Sequence, residues 1–229
     1  MMSYWVLFIG IAVVSWLVQM NLQNKFKKYS KIPTGNGMTG RDVALKMLHD
    51  NGIYDVQVTH TPGRLTDHYN PTNKTVNLSE GVYESNSIMA AAVAAHECGH
   101  AIQHAKSYAP LSIRSALVPI ANFGSMLAWP VILIGLLFNT RSSGLIIDIG
   151  ILLFSAAVLF QLVTLPVEFD ASRRALVMLR TQGILADDEL RYTRRVLKSA
   201  ALTYVASAAA AILQLLRIIL ITNGRRRDD

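Results

Sequence analysis

"AAAVAAHECGHAIQHAKS", residues 90–107, decides how this chain is read. Alanine is the strongest helix former, so the local expectation is a helix interrupted by a short polar cluster. On a helix, His96 and His100 stand at i and i+4 and share one face, about 6 Å apart along the axis. That suits two ligands of one tetrahedral zinc ion (Zn2+), with N–Zn distances of about 2.0–2.1 Å. Glu97 is turned about 100° from His96, a poor position for a third ligand. It can still reach a water at the metal, take its proton as the water attacks a carbonyl, and pass that proton to the leaving amine. Cys98 points away from both histidines and reads as packing. The H-E-x-x-H spacing on a helical segment favours this chemistry over two histidines merely packed on a helix.

A catalytic zinc takes three protein ligands and keeps a fourth position open. His104 lies about 12 Å along the same helix from His96, too far to share one ion. A histidine six residues past the second ligand, as in glycine-broken motifs, is excluded by Lys106. The better source is "LPVEFDASRRALVML", residues 165–179, where Pro166 reads as the end of an apolar span and a helix carrying Glu168 follows. On the residues alone, Glu168, Asp170, Glu80 and Glu84 all stand as the third ligand.

Composition places this motif beside a membrane. Of the 229 residues, 52% are hydrophobic and 16% charged, with mean hydropathy +0.32. A typical soluble domain has about a quarter of its residues charged. Four apolar stretches, 4–22, 117–138, 145–165 and 200–222, approach the roughly 20 residues needed to cross a bilayer. The first has no basic leader or small-residue cleavage site and reads as an uncleaved anchor. Lys25, Lys27, Lys28 and Lys31 follow it, which puts residue 25 onward in the cytoplasm. Pro119 and Pro130 are kinks of the kind membrane helices tolerate. "NTRSSG", residues 139–144, is a turn-rich connector that makes a hairpin of the second and third stretches. The fourth, interrupted by Gln214 and Arg217, spans the bilayer or lies in its interface.

The formal net charge of +7 gathers beside apolar stretches, an orientation signal; no nucleic-acid partner is expected. A single cysteine rules out an intrachain disulfide and a cysteine-rich metal cluster. The polar parts are 25–115, carrying the motif helix, and 166–199. Thr39 with Asp42 reads as a capping box opening a helix that stops near Asn51-Gly52. "YDVQVTH" (54–60) and "KTVNLS" (74–79) read as strands, and one of Ser85, Asn86 or Ser87 opens the motif helix.

"HECGHAIQHA", followed after two apolar stretches by "PVEFDASRRAL" and preceded by "DHYNPTNKTVNLSEGVY", resembles the bacterial YugP-like membrane neutral zinc metallopeptidases over nearly the whole chain. It is more distantly similar to the HtpX-like and CAAX prenyl protease membrane gluzincins. The resemblance implies zinc ligands His96, His100 and Glu168, with Glu97 as catalytic base. It implies a mainly α fold: integral membrane helices with a small α+β zincin-like cytoplasmic metallopeptidase domain. In the distant relatives an aspartate four residues past the glutamate supports a ligand histidine from behind; here that position is Ser172, whose hydroxyl could substitute. Asp170 is the other candidate, on the wrong face of a regular helix.

The relatives also suggest that "KTVNLS" pairs with an extended peptide. His68, Tyr69, Arg173 and Tyr192 are chemically suited to hold an oxyanion or contact substrate, and no spacing chooses among them. The expectation is a multi-pass plasma-membrane endopeptidase, its active site facing the cytoplasm near headgroup level and its substrates membrane-associated polypeptides. The rival is a non-enzymatic membrane scaffold or chaperone whose structural zinc is closed by His60 or His68. Metal transport ranks last, because the spans contain no His or Glu. Oligomeric state is not readable from the sequence.

Overall fold

The computed structural model describes residues 2–137 and 143–228, with the backbone alone at 2–5, 7–8 and 223–228. Phe138 and residues 139–142 of the expected connector lie outside the described residues. The elements are α1 (Met2–Tyr29), α2 (Gly40–Asp50), β1 (Gln57–Thr61), β2 (His68–Asn70), β3 (Thr75–Ser79), α3 (Glu80–Tyr83), α4 (Ile88–Ala105), α5 (Ala109–Leu137), α6 (Ser143–Thr181) and α7 (Asp187–Asp228). The fold is mainly helical with one small mixed sheet. The chain divides into two compact units, one of Met1–Trp16, Ser112–Pro166 and Tyr204–Asp229, the other of Leu17–Leu111 and Val167–Thr203.

The first unit is built from the apolar parts of long helices. Among the described residues, three helices are long and apolar enough to cross a membrane: Ala109–Leu137, Ser143–Thr181 and Asp187–Thr222. The anchor expected at 4–22 is carried as helix in α1, with side chains at 4–5 and 7–8 outside the described residues. Helices α5 and α6 approach closely where Gly124 faces α6: a Cβ there would sit 2.5 Å from the Leu153 carbonyl oxygen. Small residues permit such approach where lipid offers no hydrophobic drive between helices.

Helix α6 runs without a break through Pro166, the residue read as the end of the third apolar stretch, to Thr181, and α7 runs unbroken past residue 200. Proline removes one N–H from the helical ladder, and long apolar helices tolerate that loss when neighbouring groups satisfy the freed carbonyl.

The second unit is organised around α4. From Ile88 to Gln103 every residue of α4 is buried except His96, which is partly exposed. A helix that is apolar nearly all round belongs in the middle of a core. Val43, Ala44, Met47 and Leu48 of α2 and Val76 and Leu78 of β3 are wholly buried in that same core. Local chemistry sets the ends. Thr39 and Asp42 form the reciprocal capping box of α2, which stops at Asn51, with Gly52 at φ +72°. Ser87 is the residue that caps α4, its side chain accepting from the Ala90 N–H.

The sheet order is β1-β3-β2, with β3 parallel to β1 and antiparallel to β2. This corrects the expectation for "KTVNLS". Over Thr75–Asn77, β3 is the central strand with both edges paired, so no peptide can add to that part of it. The outer strand next to α4 is β2, a three-residue strand that the sequence reading did not anticipate, and its Tyr69 N–H is taken up by Glu97 of α4.

Candidate metal centre

Three side chains from two helices converge in the second unit. His96 Nε2 lies 3.2 Å from Glu168 Oε2, and His100 Nε2 lies 3.6 Å from the same oxygen. One ligand atom from each of the three residues can be chosen so that all lie within 4.8 Å of one another. Two donors each about 2.0–2.1 Å from one zinc at the tetrahedral angle stand about 3.3–3.4 Å apart, a spacing that the two histidine–carboxylate distances bracket. The N, N, O donor set also suits zinc. The residues present therefore fit the ion. Among the described residues no fourth His, Cys, Asp or Glu joins the group.

Gly99 brings the two helices this close. A Cβ at Gly99 would sit 2.6 Å from the Ala171 carbonyl oxygen of α6 and 3.1 Å from its Cα. Only glycine allows the backbones to meet at a point flanked by both histidines and by Glu168. Gly99→Val is expected to lower the thermal unfolding midpoint by an amount corresponding to about 1–3 kcal/mol of overpacking. It should also weaken zinc binding without altering a ligand, as read by thermal unfolding and zinc content of the detergent-purified chain. A midpoint and zinc content equal to wild type would remove Gly99 from this role.

Electrostatics bind the group together. Burial pushes the His100 imidazole down, but the facing Glu168 carboxylate outweighs it, and His100 ends above its ordinary value. Burial likewise pushes Glu168 up, and hydrogen bonds from His100 and His96 overcome it, leaving the carboxyl well below the usual range.

The distal ring nitrogens are both engaged. His96 Nδ1 lies 3.1 Å from Ser172 Oγ, and His100 Nδ1 lies 3.0 Å from Gln103 Oε1. Asp170 touches no histidine. It accepts from Gln103 Nε2 at 2.9 Å and from Arg173 and Arg174 at 2.5 Å each; burial raises its carboxyl, and these donors hold it below its usual value. Glu97 is buried, and its Oε2 accepts from the Tyr69 backbone N–H at 3.0 Å, so the β2 edge adjoins the carboxylate. Cys98 is fully buried; burial pushes its thiol up, and Sγ donates weakly to the Ala44 carbonyl at 3.6 Å.

The remaining candidates have other partners. The Tyr69 hydroxyl meets His104 Nδ1 at 2.7 Å. His68 bonds the Thr66 carbonyl and Asn77 within and beside the sheet. Arg173, itself exposed, pairs with the buried Asp170, Tyr192 packs on Tyr29, and His60 meets Tyr83 edge-on. Gln103, wholly buried, escaped the sequence reading. Its signal was its place three residues past His100, on the same helix face.

An i, i+4 histidine pair on a buried helix, met by a carboxylate from a second helix, defines a helical protein with a candidate divalent-metal centre. The chain belongs to the family described as "Putative neutral zinc metallopeptidase", whose model matches residues 4–223. It is 45% identical over 222 residues to the Bacillus subtilis (strain 168) protein named "Putative membrane protease YugP", covering 96% of this chain and 97% of that protein. No solved structure matches the chain.

Proposed function

We propose that the chain is a membrane-embedded zinc endopeptidase, with His96, His100 and Glu168 as metal ligands and Glu97 as general base. The observation that carries this is the meeting of all three donors at ligand spacing, with the Glu97 carboxylate held beside them by Tyr69. A zinc ion bound there supplies Lewis-acid polarisation and makes a water nucleophilic near neutral pH. Glu97 takes the proton of the attacking water and returns it to the leaving nitrogen. The Tyr69 N–H fixes one carboxylate oxygen, which leaves the other for that transfer.

The second unit then serves as a small zincin-like metallopeptidase domain. The lysines after residue 22 favour a cytoplasmic face for it, and the apolar stretches favour a multi-pass arrangement. Glu168 follows Pro166 by about 3 Å of helical rise, which favours substrates presented at the membrane. The test is metal removal. The detergent-purified chain is expected to carry about one zinc, to lose cleavage of an unstructured polypeptide on chelation, and to regain it on zinc addition. Full-rate cleavage after chelation defeats the proposal.

A further inference from the structure

We infer that Gln103 is a positioning residue that sets the ring of His100 for metal binding, an inference that rests on the zinc reading above. The amide of Gln103 is wholly buried and has three partners. Its Nε2 lies 2.9 Å from the Val167 carbonyl oxygen and 2.9 Å from Asp170 Oδ2, and its Oε1 lies 3.0 Å from His100 Nδ1. A backbone carbonyl and a carboxylate only accept hydrogen bonds, so both demand the NH₂ end of the amide. The amide therefore cannot turn over. Its oxygen is held toward His100, and Nδ1 must carry a hydrogen to satisfy it. Nε2, facing Glu168, is then the nitrogen that keeps a lone pair in the neutral ring.

The anchor of this relay is Asp170. It is 7% exposed and clamped by the guanidinium groups of Arg173 and Arg174. Arg174 in turn lies over the Tyr108 ring, 5.6 Å from its centroid. Charge at the edge of the unit thus orients an uncharged amide inside it, and the amide orients the ligand. A carboxylate touching His100 directly would add a further buried negative charge beside Glu168 and Glu97; an amide passes on the direction without the charge.

His96 is held differently. Its Nδ1 faces the Ser172 hydroxyl, which rotates and either donates or accepts. The Ser172 hydroxyl therefore fixes no direction at His96 Nδ1, and His96 Nε2 is turned to the Glu168 carboxylate, whereas Gln103 fixes the hydrogen on His100 Nδ1. The two ligands therefore differ in what holds Nδ1: an amide oxygen that cannot turn over at His100, and a hydroxyl that rotates at His96.

The experiment measures zinc affinity of the full chain in detergent by competition with a chromophoric chelator. Gln103→Met keeps the side-chain length and removes both hydrogen-bonding ends. It is expected to weaken zinc binding about 10–100-fold, the usual cost of losing a group that orients a ligand. The readout that a packing role would not move is a double-mutant comparison. In a His100→Ala background Gln103→Met should cost less than about twofold, and in a His96→Ala background it should cost the full factor. Equal losses in both backgrounds, or unchanged affinity in the single variant, overturn the inference. If Gln103→Met does not fold, Asp170→Ala leaves the amide in place but removes its anchor; a loss of about three- to tenfold that vanishes without His100 supports the relay, and one that persists overturns it. Failure of the zinc reading itself looks different, since wild type would then bind no zinc in the same assay.

Discussion

Glu97→Gln is expected to lower polypeptide hydrolysis by about 10²–10⁴-fold while leaving zinc content at the wild-type level. The substitution keeps shape and size, and its amide oxygen can still accept from the Tyr69 N–H that now meets Oε2 at 3.0 Å. The buried backbone donor stays satisfied, so the fold has no reason to loosen. Glu97 is also outside the group of three ligand atoms, so the variant removes proton transfer without removing a ligand. The measurement is single-turnover cleavage beside metal analysis on the same preparation. Glu97→Asp provides the complement: it restores a carboxylate one methylene short and should recover only part of the rate, because general-base catalysis depends on reach as well as on pKa. A Glu97→Gln variant that cleaves at the wild-type rate would mean that hydrolysis does not run through this carboxylate.

What the sequence made legible was local. Thr39 with Asp42, Asn51-Gly52 and Ser87 act on backbone groups a few residues away, and each sits where it was read or among the residues weighed. The histidine pair is local as well, since four residues of helix suffice to align two rings. What it hid was pairing over distance. "HYN" at 68–70 shows neither alternation nor an apolar run, and it becomes a strand because β3 lies beside it. "KTVNLS" reads equally well as an edge or a centre until its neighbours are known. Glu168 was one of four acids on the residues alone, chosen by the resemblance; in the structure its approach to His96, 72 residues distant, singles it out. Gly99 and Gln103 carried no motif, because their importance comes from Ala171, Val167 and Asp170 on a different helix.

The same long-range logic explains why chemically apt residues can miss the centre. Arg173 has the right charge to hold an oxyanion, but it emerges on the side of α6 where Asp170 takes it up. Tyr192 has the right hydroxyl, but its ring packs at a tilt against Tyr29 of α1. Reactive groups are common on any surface. A site needs several of them aimed at one point, and here the close contact at Gly99 sets that aim.

Glu168→Gln is expected to weaken zinc binding by more than about 100-fold, beyond the loss typical of a supporting residue, because it replaces the single anionic donor with an amide. It is also expected to change how the metal-free chain responds to pH. In wild type the lowered Glu168 value gives stabilisation present above the ordinary glutamate value of about 4.3 and lost as pH falls through the folded one. The raised His100 value gives stabilisation present below the ordinary imidazole value of about 6.5 and lost as pH rises through the folded one. The pair therefore contributes most between about pH 4.3 and 6.5. Without the carboxylate, burial governs His100 and disfavours its charge, so the variant loses stability where wild type is best supported. The gap between the two unfolding midpoints, measured without metal, should be widest between about pH 4.3 and 6.5 and narrow as pH rises through the folded His100 value. A gap that stays constant with pH would show that Glu168 and His100 do not act as a coupled pair, and unchanged zinc affinity would take Glu168 out of the ligand set.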